Sequence, residues 1–130
     1  MIGAAASRTT LARGETQLSV KGVSKRFGGV RAVENIDLDV PNGQILSVIG
    51  PNGAGKTSLL NMISGFYQPD TGSVTLEGRP ITNMRPSQIA SLGIARTFQN
   101  IALFRGMTVL DNLMLGRHVH MKAGVLSSFI

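Results

Sequence analysis

Ser47-Val48-Ile49-Gly50-Pro51-Asn52-Gly53-Ala54-Gly55-Lys56-Thr57 is the stretch on which the reading of this chain turns. Within it, Gly50-x-x-x-x-Gly55-Lys56-Thr57 has the spacing of a phosphate-binding loop. Backbone N–H groups can wrap a polyphosphate closely only where the chain lacks a Cβ, which is what Gly50, Gly53 and Gly55 offer. Pro51, Asn52 and Ala54 complete the loop. Lys56 would set a flexible point charge on the β- and γ-phosphates, and the Thr57 hydroxyl would ligate Mg²⁺. Ser58 continues a helix whose positive N-terminal end adds to the attraction. On either side, Gln44–Ile49 is a short apolar run that reads as a buried strand. Ser58–Ile63 places Leu59, Leu60 and Ile63 on one helical face. Strand, glycine loop and helix form the context that the motif requires. The plain alternative is a glycine-rich strand-to-helix turn that binds nothing.

Composition narrows the setting. The 130 residues suffice for one domain with a core. There is no cysteine, which excludes disulfides, thiolate metal ligands and thiol nucleophiles. No apolar run reaches the roughly 18 to 20 residues that span a bilayer, so a membrane connection would run through a partner. Met1–Gly14 is rich in Ala, Ser, Thr and Arg without the apolar core of a secretory signal. Residues 1–16 are therefore expected to be a disordered leader, with the domain beginning at Gln17. Thirteen Lys and Arg against seven Asp and Glu give a charge of +6. Only Lys21, Lys25, Arg26 and Arg31 cluster, and no aromatic ladder accompanies them. A solvated or nucleotide-adjacent face is the expectation, with no nucleic-acid partner. His118 and His120 stand beside no carboxylate and read as solvated.

Taken in order, Gln17–Phe27 alternates through Leu18, Val20 and Val23, and Val30–Val40 alternates again through Val33, Ile36, Leu38 and Val40. These read as antiparallel strands of a meander that feeds the loop strand. Pro41-Asn42-Gly43 is expected to turn with positive φ at both Asn42 and Gly43. Gly65 is a candidate helix C-cap and Pro69–Gly72 a turn. Ser73–Leu76 reads as a strand, Pro86–Leu92 as a short helix and Ile94–Phe98 as another strand. Thr108 and Asp111 are spaced as a capping box for a further helix.

Two positions outside the loop carry a resemblance. Phe27 lies in Lys-Arg-Phe-Gly-Gly before it, and Gln99 lies in Arg96-Thr97-Phe98-Gln99-Asn100 after it. Together with Gly50–Thr57 they resemble the N-terminal half of the nucleotide-binding domain of an ABC transporter, an α/β P-loop NTPase with a β-rich N-terminal subdomain. The resemblance implies that Phe27 is the aromatic that stacks on adenine. That position is often Tyr in the family, and Phe keeps the stacking without the hydroxyl. Gln99 is implied to be the glutamine that senses Mg²⁺ and the γ-phosphate, a catalytic role shared with Lys56. The run from Ala90 through Thr97-Phe98-Gln99-Asn100 and Leu103-Phe104 to Leu113 is similar to the ATP-binding subunits of branched-chain amino acid importers. Asp111 is a conservative departure where that subgroup more often has Glu.

What this implies is an ATPase that uses ATP and Mg²⁺, sits peripherally on the cytoplasmic face of the inner membrane, pairs with a second ATP-binding subunit and contacts transmembrane permease subunits through Asn100–Met107. The resemblance covers about half of such a domain. No L-S-G-G-Q signature, Walker B strand or switch histidine is found in Gln17–Ile130. An incomplete core is therefore expected, with the loop strand short of ladder partners and its apolar faces exposed. The chain is expected to bind ATP without efficient hydrolysis. The alternatives are a catalytically silent ATP-binding fragment, an ABC ATPase for another substrate such as lipid export, and, more remotely, a P-loop kinase or GTPase.

Overall fold

The computed structural model describes residues 10–97 and 103–116. Four strands form one antiparallel sheet: β1 (Thr16–Phe27), β2 (Val30–Pro41), β3 (Thr71–Leu76) and β4 (Arg79–Pro80). Three helices accompany it: α1 (Lys56–Ile63), α2 (Pro86–Ser91) and α3 (Val109–Gly116). The strand order is β2-β1-β3-β4. This departs from a simple meander, because β3 returns to the free edge of β1 after the chain has passed through the phosphate loop and α1.

The spacing Leu18, Val20, Val23 breaks the strict alternation of a strand, and the backbone shows why. Register shifts between Val20 and Val23 against β2, and between Lys21 and Ser24 against β3, mark an irregularity at Gly22. Gly22 adopts φ +59° and donates its N–H to Asp37 Oδ1 at 2.6 Å. One extra residue at a bulge reverses the parity of the residues beyond it. Val20 and Val23 are in consequence both fully buried. They join Val33, Leu59, Met62, Ile63, Val74, Ile81 and Ile89 in one core between the sheet and the helices.

β3 enters the sheet over this bulge. A Cβ at Gly72 would lie 2.5 Å from the backbone of Gly22 and from the Lys21 carbonyl oxygen, and Gly72 has φ +85°. Asp70, just before, clasps the end of β1. Its N–H donates to the Ser24 carbonyl at 2.9 Å, while its carboxylate accepts from Lys25 Nζ and from the Arg26 N–H, both at 2.8 Å. Those two donors, the Lys25 ammonium first, hold the Asp70 carboxyl below the usual carboxylate range.

Several expectations need correction. Gln44–Ile49 is not the buried strand its composition suggests: it forms no ladder among the described residues, and Ile45 and Ile49 are 99% and 92% exposed, as expected of a loop segment short of ladder partners. No described strand lies beside this run to accept its hydrogen bonds, so its apolar pattern finds no sheet to join. Residues 94–97 likewise are not a strand, although Ile94 packs on the core; Phe98 lies outside the described residues. At Pro41–Gln44 only Gly43 has positive φ (+78°), and the Gln44 N–H reaches the Pro41 carbonyl. That is the sign pattern of a type II turn, because Asn42 is held elsewhere: its side chain donates to the Leu11 carbonyl at 3.0 Å and its N–H to that of Glu15 at 2.7 Å. The chain is thus already tied to the fold at Leu11, inside the stretch expected as a leader. The turn with two positive φ values is instead Glu77–Gly78 (+50° and +77°), which closes the β3–β4 hairpin. β3 itself starts two residues before its expected position.

Other expectations hold. Gly65, with φ +78°, follows the C-cap Ser64 and donates to the Met62 carbonyl. Thr108 and Asp111 form the capping box: the Asp111 N–H donates to Thr108 Oγ1 and the Thr108 N–H to Asp111 Oδ2, each at 3.1 Å.

Two outcomes test this architecture. Gly72→Ala should destabilise the chain by about 2 kcal/mol or more in urea unfolding. Gly29→Ala, where nothing lies within 4 Å of the added methyl, should change it by less than about 0.5 kcal/mol. Because the Asp70 pKa is lowered by folding, its contribution is present above the ordinary carboxylate range and lost as pH falls through the folded-state value. The stability gap between the parent chain and Asp70→Asn should accordingly be widest above about pH 5 and close in acid.

Candidate phosphate-binding site

The loop is built by backbone conformation. The Ala54 N–H closes a turn on the Pro51 carbonyl at 3.2 Å, Gly53 has φ +84°, and Gly55, with φ +86°, is the N-cap of α1. Gly55 is also where the loop docks on the sheet. A Cβ there would sit 2.2 Å from the Ala32 carbonyl oxygen and 3.1 Å from Val33 Cγ2. Any side chain at this position would push the loop off β2. Gly50 is tight against the loop itself, since its Cβ would meet Ala54 Cβ at 3.3 Å.

At the start of α1, no side chain caps the helix and no acidic residue stands in its first turn. Its first amides and the positive end of its dipole are therefore not offset by a capping or acidic side chain from the helix's own first turn. Lys56 is half-buried, and its ammonium folds back over the loop to donate to the carbonyls of Gly50 and Pro51, at 2.5 and 2.7 Å. Both acceptors are neutral, and no carboxylate among the described residues pairs with Lys56. The arrangement concentrates positive potential at one loop, which fits a polyphosphate. Thr57 is exposed at the second helical position and Ser58 is half-buried at the third. The described residues hold no cluster of three metal-ligating side chains, so a cation here would rely on the Thr57 hydroxyl together with the phosphate oxygens. That donor set suits Mg²⁺, which commonly takes few protein ligands beside a nucleotide. A cavity of about 350 Å³ adjoins the loop, between β2 residues Arg31, Val33 and Glu34 on one side and Val48, Ile49 and Lys56 on the other.

Phe27 ends β1 and pairs with Val30, two residues before the Ala32 carbonyl that receives Gly55. The expected stacking residue and the loop therefore meet the same end of β2. The Phe27 ring is 42% exposed, contacts the Tyr67 ring edge-on at a centroid distance of 5.1 Å, and has Lys25 Nζ 5.6 Å from its centre. Gln99 lies outside the described residues, as do His118 and His120. The chain leading to Gln99 does return to α1, where Arg96 Nη1 donates to Asn61 Oδ1.

Tyr67, Asn61 and Arg96 are contributions that the sequence reading did not single out. Tyr67 is the sole tyrosine, but no local periodicity connects it with an aromatic on another element. The basic cluster also looks different once folded. Lys21 pairs with Asp39, Lys25 with Asp70 and Arg31 with Glu34, so most of its charge is locally neutralised. In the expected partner segment, residues 103–107 are exposed and those before them lie outside the described residues. Asn112 brackets this turn by accepting from the Phe104 N–H and donating to the Thr108 carbonyl, each at 3.0 Å.

Comparison with known proteins agrees with the geometry. The family model for ABC transporters matches residues 33–128. LivG of Salmonella typhimurium, a high-affinity branched-chain amino acid transport ATP-binding protein, is 45% identical over 113 residues, which is 87% of this chain and 44% of the relative. BraF of Pseudomonas aeruginosa, described in the same terms, is 44% identical over 110 residues, or 85% and 43%. The fructose import ATP-binding protein FrcA of Rhizobium meliloti is 41% identical over 115 residues, or 88% and 44%. Among solved structures, MJ1267, an ATP-binding cassette of an ABC transporter, superposes with a TM-score of 0.74 at 37% identity, over 88% of this chain and 45% of that one. The chain thus spans less than half the length of the relatives it matches. With a family match over most of its residues and an ATP-binding cassette as its structural neighbour, this chain belongs to the ABC transporter family.

Proposed function

We propose that this chain is the ATP-binding component of an ABC importer for branched-chain or other hydrophobic amino acids, with Mg-ATP held by Gly50–Ser58. The observation that carries the reading is the Lys56 ammonium folded over the loop carbonyls at an uncapped helix start, with no carboxylate among the described residues paired to it. A bound polyphosphate would give that charge an anionic partner. Lys56 then exchanges two neutral acceptors for phosphate oxygens, and the first amides of α1 donate to the same groups. The Thr57 hydroxyl supplies a ligand to Mg²⁺. The ring of Phe27 takes the adenine face, and Gln99 senses the γ-phosphate. The names of LivG and BraF favour branched-chain amino acids as the transported class, and the name of FrcA keeps other substrates in view.

Phosphoryl transfer also requires a group that positions the attacking water. The described loop supplies the cradle and the charge, so the chain's own part is to bind and orient the nucleotide. No helix among the described residues is long and apolar enough to cross a membrane. Peripheral attachment to transmembrane permease subunits on the cytoplasmic face, and pairing with a second ATP-binding subunit, complete the proposal. Residues 17–130 would be one partial nucleotide-binding domain.

Lys56→Ala should weaken Mg-ATP binding by at least about tenfold in isothermal titration, as the loss of a charge-assisted contact requires, and leave the far-UV spectrum unchanged. Equal affinity in the variant would remove the assignment. Thr57→Ala should abolish the gain in ATP affinity that Mg²⁺ confers while leaving metal-free binding close to that of the parent. A Mg²⁺ gain of the same size in both would take Thr57 out of the metal site.

A further inference from the structure

Tyr67 reaches the Phe27 ring from a different part of the fold. Its N–H and that of Phe66 both donate to the Asn61 carbonyl, at 3.3 and 2.9 Å, which fixes the chain as it leaves α1. From there the Tyr67 ring meets the Phe27 ring at 5.1 Å with an interplanar angle of 69°. Edge-to-face pairs of this kind are favourable and hold a preferred ring plane. Three residues on, the Asp70 carboxylate grips the same strand end, through the Arg26 N–H and the Lys25 ammonium. The Lys25 ammonium in turn lies 5.6 Å from the centre of the Phe27 ring. The span from Tyr67 to Asp70 therefore touches Phe27 by a ring contact and fixes the two residues that precede it on β1.

Neither aromatic is consumed by the core. Phe27 is 42% exposed and Tyr67 40%, and both lie outside the buried cluster. A T-shaped aromatic pair left open to solvent at the end of a strand does little for folding that a buried pair would not do better. It does orient a ring whose remaining surface stays accessible.

We infer that Tyr67 is a positioning residue for the Phe27 ring, fixing its plane for stacking on the nucleobase and tying base recognition to the helix that begins at the phosphate loop. This rests on the reading that Phe27 takes the adenine. The contact is between the two rings, 5.1 Å apart and edge-on, so the role is assigned to the ring of Tyr67 and not to its hydroxyl. Because the phosphates are held by the loop and not by the aromatic pair, loss of Tyr67 removes only the part of the affinity that depends on the base.

The test compares Mg-ATP with Mg-tripolyphosphate, which presents the phosphate chain without a base, by isothermal titration on the full chain. Tyr67→Ala should weaken Mg-ATP binding by about three- to tenfold, the range expected from losing one aromatic pair, and leave tripolyphosphate affinity unchanged. Tyr67→Phe should restore the parent value. Should the alanine variant not fold, Tyr67→Leu keeps the apolar bulk without the ring edge and carries the same expectation. In a Phe27→Ala background, Tyr67→Ala should cause no further loss. Equal weakening toward both ligands would make Tyr67 a structural residue and overturn the inference, as would a further loss on ATP when Phe27 is already absent. Phe27→Ala alone separates the two levels. It should weaken ATP by about fivefold or more while sparing tripolyphosphate. If it does so and Tyr67→Ala leaves both ligands unaffected, the inference fails and the adenine reading stands; if Phe27→Ala leaves ATP affinity unchanged, the adenine reading fails and the inference with it.

Discussion

The approach of Gly55 to the Ala32 carbonyl is the contact on which the rest of the arrangement depends. A phosphate loop is a piece of backbone with few side chains of its own to anchor it, and here it is located by resting directly on a strand. The distance leaves room for a hydrogen atom and nothing larger. That one requirement sets where α1 begins, and the start of α1 sets where Lys56 and Thr57 stand. It also couples the loop to β2, which reaches Phe27 through the Val30 pairing. The sheet thus fixes the separation between the Gly50–Thr57 loop and the Phe27 ring.

Around this contact the apolar groups are divided unevenly. One face of the sheet is well packed, with Val20, Val23, Val74, Ile81 and Ile89 all removed from solvent. The segment leading into the loop is not. Ile45, Leu46, Val48 and Ile49 carry the composition of a buried strand yet remain open, and α3 has no buried residue at all. Apolar side chains in such a pattern are suited to neighbours, and relatives more than twice as long have further chain with which to supply them.

Much of this was legible in the sequence where the signal is local. The glycine spacing of the loop, the Thr108–Asp111 capping box, Pro86 at the first turn of α2 and the strand character of β1 and β2 each depend on residues a few positions apart, and each is found in the fold. The failures have one physical origin. Gln44–Ile49 has strand composition, but a ladder needs a partner, and pairing is not a property of the segment itself. Asn42-Gly43 has the composition of a two-residue hairpin turn, yet the Asn42 side chain is recruited by Leu11 and the turn takes another type. The bulge at Gly22 was written into the spacing of Val20 and Val23, and it becomes readable only once both are seen to be buried. Tyr67 was beyond reach for the same reason: its partner lies on a strand far away in sequence.

The position of β1 between β2 and β3 has a consequence for the order in which the structure assembles. Its pairing with β2 closes through Gly28–Gly29, a local hairpin with little chain entropy to overcome. Its pairing with β3 joins residues such as Gly22 and Thr71, which are 49 apart, and so closes a far longer span of chain at a larger entropic cost. Contacts of that separation slow folding far more than they weaken the final state. Between the two events the free edge of β1 is a bare row of amides and carbonyls, able to accept any strand that arrives first. In the folded chain the Asp70 clasp on Ser24 and Arg26 covers the end of that edge, so the same residue that steadies the aromatic corner also occupies backbone groups another strand would otherwise use.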